Sequence, residues 1–364
     1  MRVALVTPNN DVRDGALFIE LSKACPDLRV FAPAGWDAGS WPSVVRLESV
    51  HTAGGNWTRQ WMRGLETAVE AHEPDLIHVH NEPWAITTQR LVRGGRPVVI
   101  HGAENVLLSA PPAYRIRRVG MTSALRNAAG YVNWGATGLR AAETVGLPKS
   151  TPRIVIPASP PDPLLFPRAP LRAVDGELRV AFTGRLVQMK GMDDLLRGVA
   201  LTRAPSRISL SVVGAGPEES RLHALAQRLG VRARFLGPLD AVGVHQVLAD
   251  SDVLAVPSKD TRTGSEQWGR VVVEAMSTGR SVLVSSAGEL PHLVDDPDCV
   301  FRPGDPGSLA LALDALLADS SLVAARAEAA HRRAGALRPD ILANQLVAFW
   351  DQVLARWQLR NGMQ

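Results

Sequence analysis

Cysteine is almost missing from this chain of 364 residues: Cys25 and Cys299 are the two it has, far apart and in no metal-ligand spacing. A disulfide framework and a structural zinc site are therefore excluded, and a reducing compartment is expected. No stretch approaches the ~18 uninterrupted apolar residues of a spanning helix. Met1 to Thr7 reads as a first β-strand and not as a signal peptide, so a cytoplasmic location is expected. Zinc-finger spacings and basic repeats interleaved with aromatics are absent, which argues against nucleic acid as a partner. Repeats of short period are absent too, which excludes a solenoid.

What is present is a folded chain with 46 % apolar residues, long enough for two domains of ordinary size. The net charge of +4 is uneven, since residues 1–172 hold 19 basic and 14 acidic side chains and so carry the whole excess. Arg115, Arg117 and Arg118, with Leu107, Leu108, Tyr114 and Ile116 nearby, suit either a solvated helix face or a peripheral contact with a membrane surface.

Apolar runs at Val3 to Val6, Leu76 to Val79 and Val98 to Ile100 alternate with helical patterns at Ala16 to Lys23 and Trp61 to Glu70, which predicts a parallel sheet covered by helices. The proline-rich stretch from Pro157 to Pro170 suits neither helix nor central strand and reads as a linker. Strand-like runs resume at Leu178 to Phe182, Ile208 to Val213, Ala233 to Leu236, Val253 to Val256 and Ser281 to Ser286. The expected architecture is α/β with two Rossmann-like domains, 1–170 and 171–341. An apolar-periodic helix from Leu342 to Trp357 falls in the closing segment 342–364.

The segment Glu266 to Thr278 carries the strongest functional signal. A helix is predicted to start near Gly269, leaving the amides around Arg270 and Val271 to form an anion site suited to a diphosphate. Glu266 lies just outside that start and can accept sugar hydroxyls, whereas Glu274 lies deeper and can reach a ribose diol. A second element, Thr183 to Gly191, follows a strand and brings Gly184, Arg185 and Lys190 to the strand's C-terminal end, where open α/β sheets bind ligands. Two cations there would stabilise the charge that builds on a departing diphosphate. Gly214, after another strand, begins half of a dinucleotide fingerprint, weak by itself. In the first half, Gly15 ends a loop through which backbone could approach phosphates. Asn81, Glu82 and Trp84 follow one strand, and His101 and Glu104 follow another, with His101 expected at the rim. His78 and His80 beside Glu82 resemble a metal pattern, but His78 falls inside its strand, and no metal is expected. Asp250-Ser-Asp252 and Asp296-Pro-Asp298 are both badly placed for a metal-dependent transferase.

Glu266 and Glu274, separated by seven residues, together with Gly184-Arg185-Leu186 and Lys190-Gly191, resemble the retaining GT-B glycosyltransferases of family 4. The likeness covers nearly the whole chain and is loosest in the N-terminal half. Trp268 stands where an aromatic, often Phe, is usual. The resemblance implies two domains facing each other across a cleft, with the C-terminal helix returning to the first. It implies transfer of a hexosyl group from a UDP- or GDP-linked sugar, UDP being the first choice, to a hydroxylated small molecule, natural product or glycan, with no metal and no cofactor. It gives Glu266 the donor-sugar hydroxyls, Glu274 the ribose, Leu236 a backbone contact with the base, and His101 a contact near the reacting carbon. Asn81, Glu82, Trp84 and Glu104 fall on the acceptor side. Alternative readings are a non-hydrolysing sugar-nucleotide epimerase on the same fold and a catalytically silent partner of another transferase.

Overall fold

The computed structural model describes residues 1–7, 15–35, 43–51, 57–105, 112–157, 160–172, 174, 176–262 and 264–362. It divides into two compact units, Met1–Pro160 with Pro339–Gln364, and Pro161–Arg338.

In the first unit the strands are β1 (Val3–Val6), β2 (Leu28–Pro33), β3 (Val44–Leu47), β4 (Ser49–His51), β5 (Gln60–Met62), β6 (Leu76–Val79), β7 (Val98–Gly102), β8 (Gly130–Asn133) and β9 (Arg153–Val155). Seven of them form a parallel sheet in the order β3-β2-β1-β6-β7-β8-β9, and β4 pairs with β5 as an antiparallel ribbon. Both faces of the sheet are covered, so the central strands are apolar without alternation: all four residues of β1 are buried. On one face Val3, Leu5, Leu17 and Leu21 pack with Leu346, Phe349, Trp350 and Val353 of the closing helix Pro339–Arg360. Gly130 admits this helix, because a Cβ there would come within 2.7 Å of Val353 Cγ2.

The helix predicted from Trp61 to Glu70 is corrected. Trp61 lies in β5 opposite Val50, and the helix runs only from Leu65 to Ala71. Gly64, left-handed at φ 72°, makes the break between strand and helix, a conformation that costs glycine little. Periodicity alone had joined two elements that this residue separates.

The second unit holds β10 (Leu178–Thr183), β11 (Ile208–Val213), β12 (Ala233–Phe235), β13 (Val253–Val256), β14 (Ser281–Ser285) and β15 (Val300–Phe301). They form a parallel sheet in the order β12-β11-β10-β13-β14-β15. Counted from β10 this is the doubly wound order 3-2-1-4-5-6, with its topological switch point between β10 and β13. At the opposite, N-terminal edge, Arg179 binds Asp252 through two side-chain hydrogen bonds of 2.9 and 2.6 Å, and its backbone N–H donates to the same carboxylate. Asp252 is thus a structural strut between β10 and β13. The buried Arg280 donates to the carbonyls of Ala169 and Pro170, fastening the incoming proline-rich segment to the sheet. Among the described residues no single helix is long and apolar enough to cross a membrane.

A chain of hydrogen bonds ties the closing helix to the first sheet. Trp350 Nε1–H donates to His78 Nδ1 at 2.9 Å, which leaves the proton of His78 on Nε2. That nitrogen lies 3.2 Å from His101 Nδ1, and His101 Nε2 lies 2.8 Å from the carbonyl of Ile156. All four groups have compatible donor and acceptor roles only when both imidazoles are neutral. Burial supports this state by driving the His78 pKa down to about 3, with His80 adding to the shift. Replacing the donor, as in Trp350→Phe, is expected to orphan His78 Nδ1 and to cost about 2 to 4 kcal/mol of stability. Denaturant unfolding checks this, and an unchanged midpoint would contradict the role of the bond.

Candidate active site

Lys190 and Glu266 meet across the switch point. Lys190 lies in a short 3-10 turn, Gln188–Lys190, shortly after β10, and ends against Gly191 at φ 66°. A Cβ at Gly191 would sit 1.8 Å from the carbonyl oxygen of Pro257, so only glycine lets this turn lie on the exit of β13. The backbone N–H of Lys259 donates to the carbonyl of Met189 at 2.7 Å, closing the same contact. Lys259 Nζ then lies 3.1 Å from Asp193 and 2.9 Å from Asp194, in the first turn of the next helix, Met192–Leu201. The consequence is a fixed cation: Lys190 Nζ is 2.7 Å from Glu266 Oε2, with the two side chains 21 % and 12 % exposed.

Glu266 is held on its other side by the turn that follows β14. Its carbonyl accepts the N–H of Glu289 at 2.9 Å, and Gly288 fits beneath it at φ 53°, where a Cβ would fall 2.1 Å from that oxygen. Ser258 Oγ donates to the Oε2 atom that Lys190 also contacts, at 2.8 Å.

The helix expected near Gly269 runs from Arg270 to Ser277, and Gly269 is its N-cap at φ 73°. Val271 lies in the first turn, and Arg270 Nε lies 2.9 Å from Glu274 Oε1, one turn along. Gly184 and Gly214 pack the ends of β10 and β11 together: Gly184 N–H donates to the Val213 carbonyl, and a Cβ on Gly214 would lie 2.0 Å from Gly184 O. Leu236, just past β12, donates its N–H to Val212 O at 2.8 Å. Arg185 is exposed on the loop after β10. These residues share the C-terminal edge of one sheet.

The first-unit residues are arranged differently from expectation. His101 is corrected: it lies within β7, 3 % exposed, and both its ring nitrogens belong to the chain running from Trp350 to Ile156. Burial, reinforced by His80 and His78, holds its pKa well below the usual imidazole value. His80, the residue after β6, is also buried, with its ring 4.8 Å from that of His101. Gly15 opens the helix Gly15–Ala24, and a Cβ there would meet nothing within 4 Å. The loop before it lies outside the described residues. So do Leu107 and Leu108 and the side chains of Arg115 and Arg117, whereas Arg118 is exposed.

Asn81 and Glu82 are buried, at 2 % and 4 % exposure. Asn81 Oδ1 accepts the N–H of Glu82, and Glu82 Oε1 accepts the N–H of Ala103 at 3.0 Å. Glu104 and Trp84 are half-buried beside them. Burial pushes the Glu82 carboxyl up to about 8; nearby Glu104 adds to the shift and the Ala103 N–H opposes it. Glu82 is therefore mainly protonated at neutral pH. Tyr131, with its Oη accepting from Asn133 Nδ2 at 3.0 Å, shares this cluster. The sequence signals for Tyr131, Asn133, Trp350 and Ser258 are ordinary strand, turn and helix residues, and their roles went unread.

Residues 177–319 match the family described as Glycosyl transferases group 1. The match spans most of the second unit. A D-inositol 3-phosphate glycosyltransferase from Nocardia farcinica is 36 % identical over 164 residues, or 42 % of this chain and 35 % of that protein. The chain spans well under half the length of the curated relatives it matches. Two solved structures share the fold throughout. Anabaena Alr3699/HepE in complex with UDP has a TM-score of 0.71 at 22 % identity, covering 96 % of this chain and 98 % of that one. Sucrose-phosphate synthase from Thermosynechococcus elongatus has a TM-score of 0.72 at 19 % identity, covering 98 % and 100 %. The fold is that of the GT-B glycosyltransferases.

The Glu82 carboxyl makes a pH prediction. Its ordinary pKa is 4.5 and its folded value about 8, so between these limits the unfolded chain ionises Glu82 while the folded chain does not. Stability from this group is full below the lower value and declines as pH rises toward the upper one. Glu82→Gln, neutral throughout, is expected to lose this part of the decline when denaturation is compared at about pH 5 and about pH 9. An equal decline in both proteins would contradict a neutral Glu82.

Proposed function

We propose that the chain is a retaining, metal-independent glycosyltransferase that transfers a hexosyl group from a nucleoside-diphosphate sugar, UDP-linked before GDP-linked, to a hydroxylated acceptor. The observation that carries the reading is the Lys190–Glu266 pair at the switch point, inside the segment that matches the group 1 family. A cation and a carboxylate fixed side by side at the end of β10 suit a ligand that is anionic at one end and rich in hydroxyls at the other. Lys190 and the exposed Arg185 would meet the diphosphate as its bond to the sugar breaks and charge builds on the leaving oxygen. Glu266 would accept donor-sugar hydroxyls and orient the ring, without acting as a nucleophile. The diphosphate would rest at the start of the helix Arg270–Ser277, and Glu274 would reach the ribose. A UDP complex of Anabaena Alr3699/HepE, which has this fold, supports placing UDP first.

In a front-face substitution the acceptor hydroxyl attacks the anomeric carbon from the side the diphosphate leaves, and a departing phosphate oxygen takes the hydroxyl proton. The anomeric configuration is kept, and Lys190 and Arg185 do the work that a metal would do elsewhere. Asn81, Glu82, Trp84 and Glu104 are the proposed acceptor side. A neutral Glu82 and an aromatic Trp84 suit a polar, hydroxylated molecule better than a cationic one.

Incubation with labelled UDP and GDP sugars tests the reading by separating transfer, epimerisation and binding alone. Transfer in excess chelator is expected, and transfer that needs added Mg²⁺ or Mn²⁺ would contradict it. Lys190→Ala and Arg185→Ala are each expected to slow turnover roughly a hundredfold to a thousandfold while leaving the fold intact. Near-normal turnover in both would sink the assignment.

A further inference from the structure

We infer that Ser258 is a positioning residue that holds the Glu266 carboxylate in its working orientation, with Ser285 holding Ser258 in turn. This rests on the donor-site reading above. Ser258 stands two residues past the end of β13 and is fully buried. Its single hydroxyl proton goes to Glu266 Oε2 at 2.8 Å, beside the 2.7 Å contact of Lys190 with the same oxygen. Ser285, the last residue of β14 and also fully buried, donates its hydroxyl to the carbonyl oxygen of Ser258 at 2.5 Å. The two serines thus link the C-terminal ends of adjacent strands directly to one carboxylate oxygen.

Their chemistry differs from that of Lys190 in what happens when a ligand arrives. The Lys190 ammonium, on a side chain 21 % exposed, is drawn toward an incoming diphosphate and its bond to Glu266 weakens. A buried hydroxyl anchored to the sheet does not follow the ligand, so Glu266 keeps this charge-assisted hydrogen bond and one rotamer. The carboxylate is then presented to the sugar at a fixed angle, the preorganisation that binding at a reacting centre requires.

The test is Ser258→Ala in two backgrounds, with calorimetric binding of UDP and GDP, transfer kinetics and thermal melting for each protein. In the parent, turnover is expected to fall about tenfold to a hundredfold while nucleoside-diphosphate affinity stays within about twofold. In a Glu266→Gln background the same change is expected to cost less than about twofold more, because the group to be positioned has already been altered. Equal losses in the two backgrounds, or unchanged turnover in the first, would overturn the inference. Should Ser258→Ala fail to fold, Ser285→Ala decides on the same criteria. If the parent neither binds nor transfers from any nucleotide sugar, the donor-site reading fails separately. The crystal structure of the Ser258→Ala protein then judges the positioning claim: a Glu266 carboxylate turned away from its present place supports it, and an unmoved one overturns it.

Discussion

The ion pair between Lys190 and Glu266 depends on a constraint of the backbone. The strand order of the second sheet opens a gap between the helices that follow β10 and β13. The residues that leave these two strands are brought close enough to touch only because Gly191 lets a turn lie on Pro257 O. Gly288 makes the corresponding close approach beneath Glu266. A side chain at either glycine would push the cation or the carboxylate out of place before any substrate was involved. Placement of charge here is a property of packing first and of electrostatics second.

The first unit uses its polar groups in another way. His78 and His101 are neutral and fully committed, one to Trp350 and the other to Ile156, so they stitch the closing helix to the centre of the sheet. Glu82, protonated by burial, sits among Tyr131, Asn133 and the amide of Ala103. The histidine chain is satisfied at every ring nitrogen, which makes it rigid, whereas Glu82 Oε2 and Asn81 Nδ2 are buried without a hydrogen-bond partner among the described residues. The two units thus divide the labour: charged groups stand at the edge of one sheet, and neutral buried ones brace the other.

Much of this was legible in the sequence. Parallel strands covered on both faces are unbroken apolar runs, and Val3–Val6, Val253–Val256 and Ser281–Ser285 stood out for that reason. The start of the helix at Arg270 followed from a glycine before helix-compatible spacing. Trp61 misled because an amphipathic pattern passed unbroken through Gly64, whose left-handed conformation has no signature in hydrophobic periodicity. His101 misled because the end of β7 was placed two residues early; one polar residue after three apolar ones reads as a rim when its partners are unseen. Its partners, His78 and Ile156, stand 23 and 55 residues away, and Trp350 stands 272 residues from the His78 it binds; such contacts come only from topology. The Lys190–Glu266 pair spans 76 residues in the same way. Both residues were singled out for their chemistry, and their contact was not foreseen.

The central claim is that Lys190 is shared between Glu266 and the donor's diphosphate, and calorimetric titration of UDP and GDP into Glu266→Gln tests it most directly. Neutralising Glu266 releases Lys190 from its competing partner. The account predicts that the free nucleoside diphosphate binds as tightly as to the parent or more tightly, while the advantage of the intact nucleotide sugar over the diphosphate shrinks. A loss of diphosphate affinity of about tenfold or more, equivalent to about 1.4 kcal/mol, would contradict it, because the carboxylate would then be part of the diphosphate site and not its competitor.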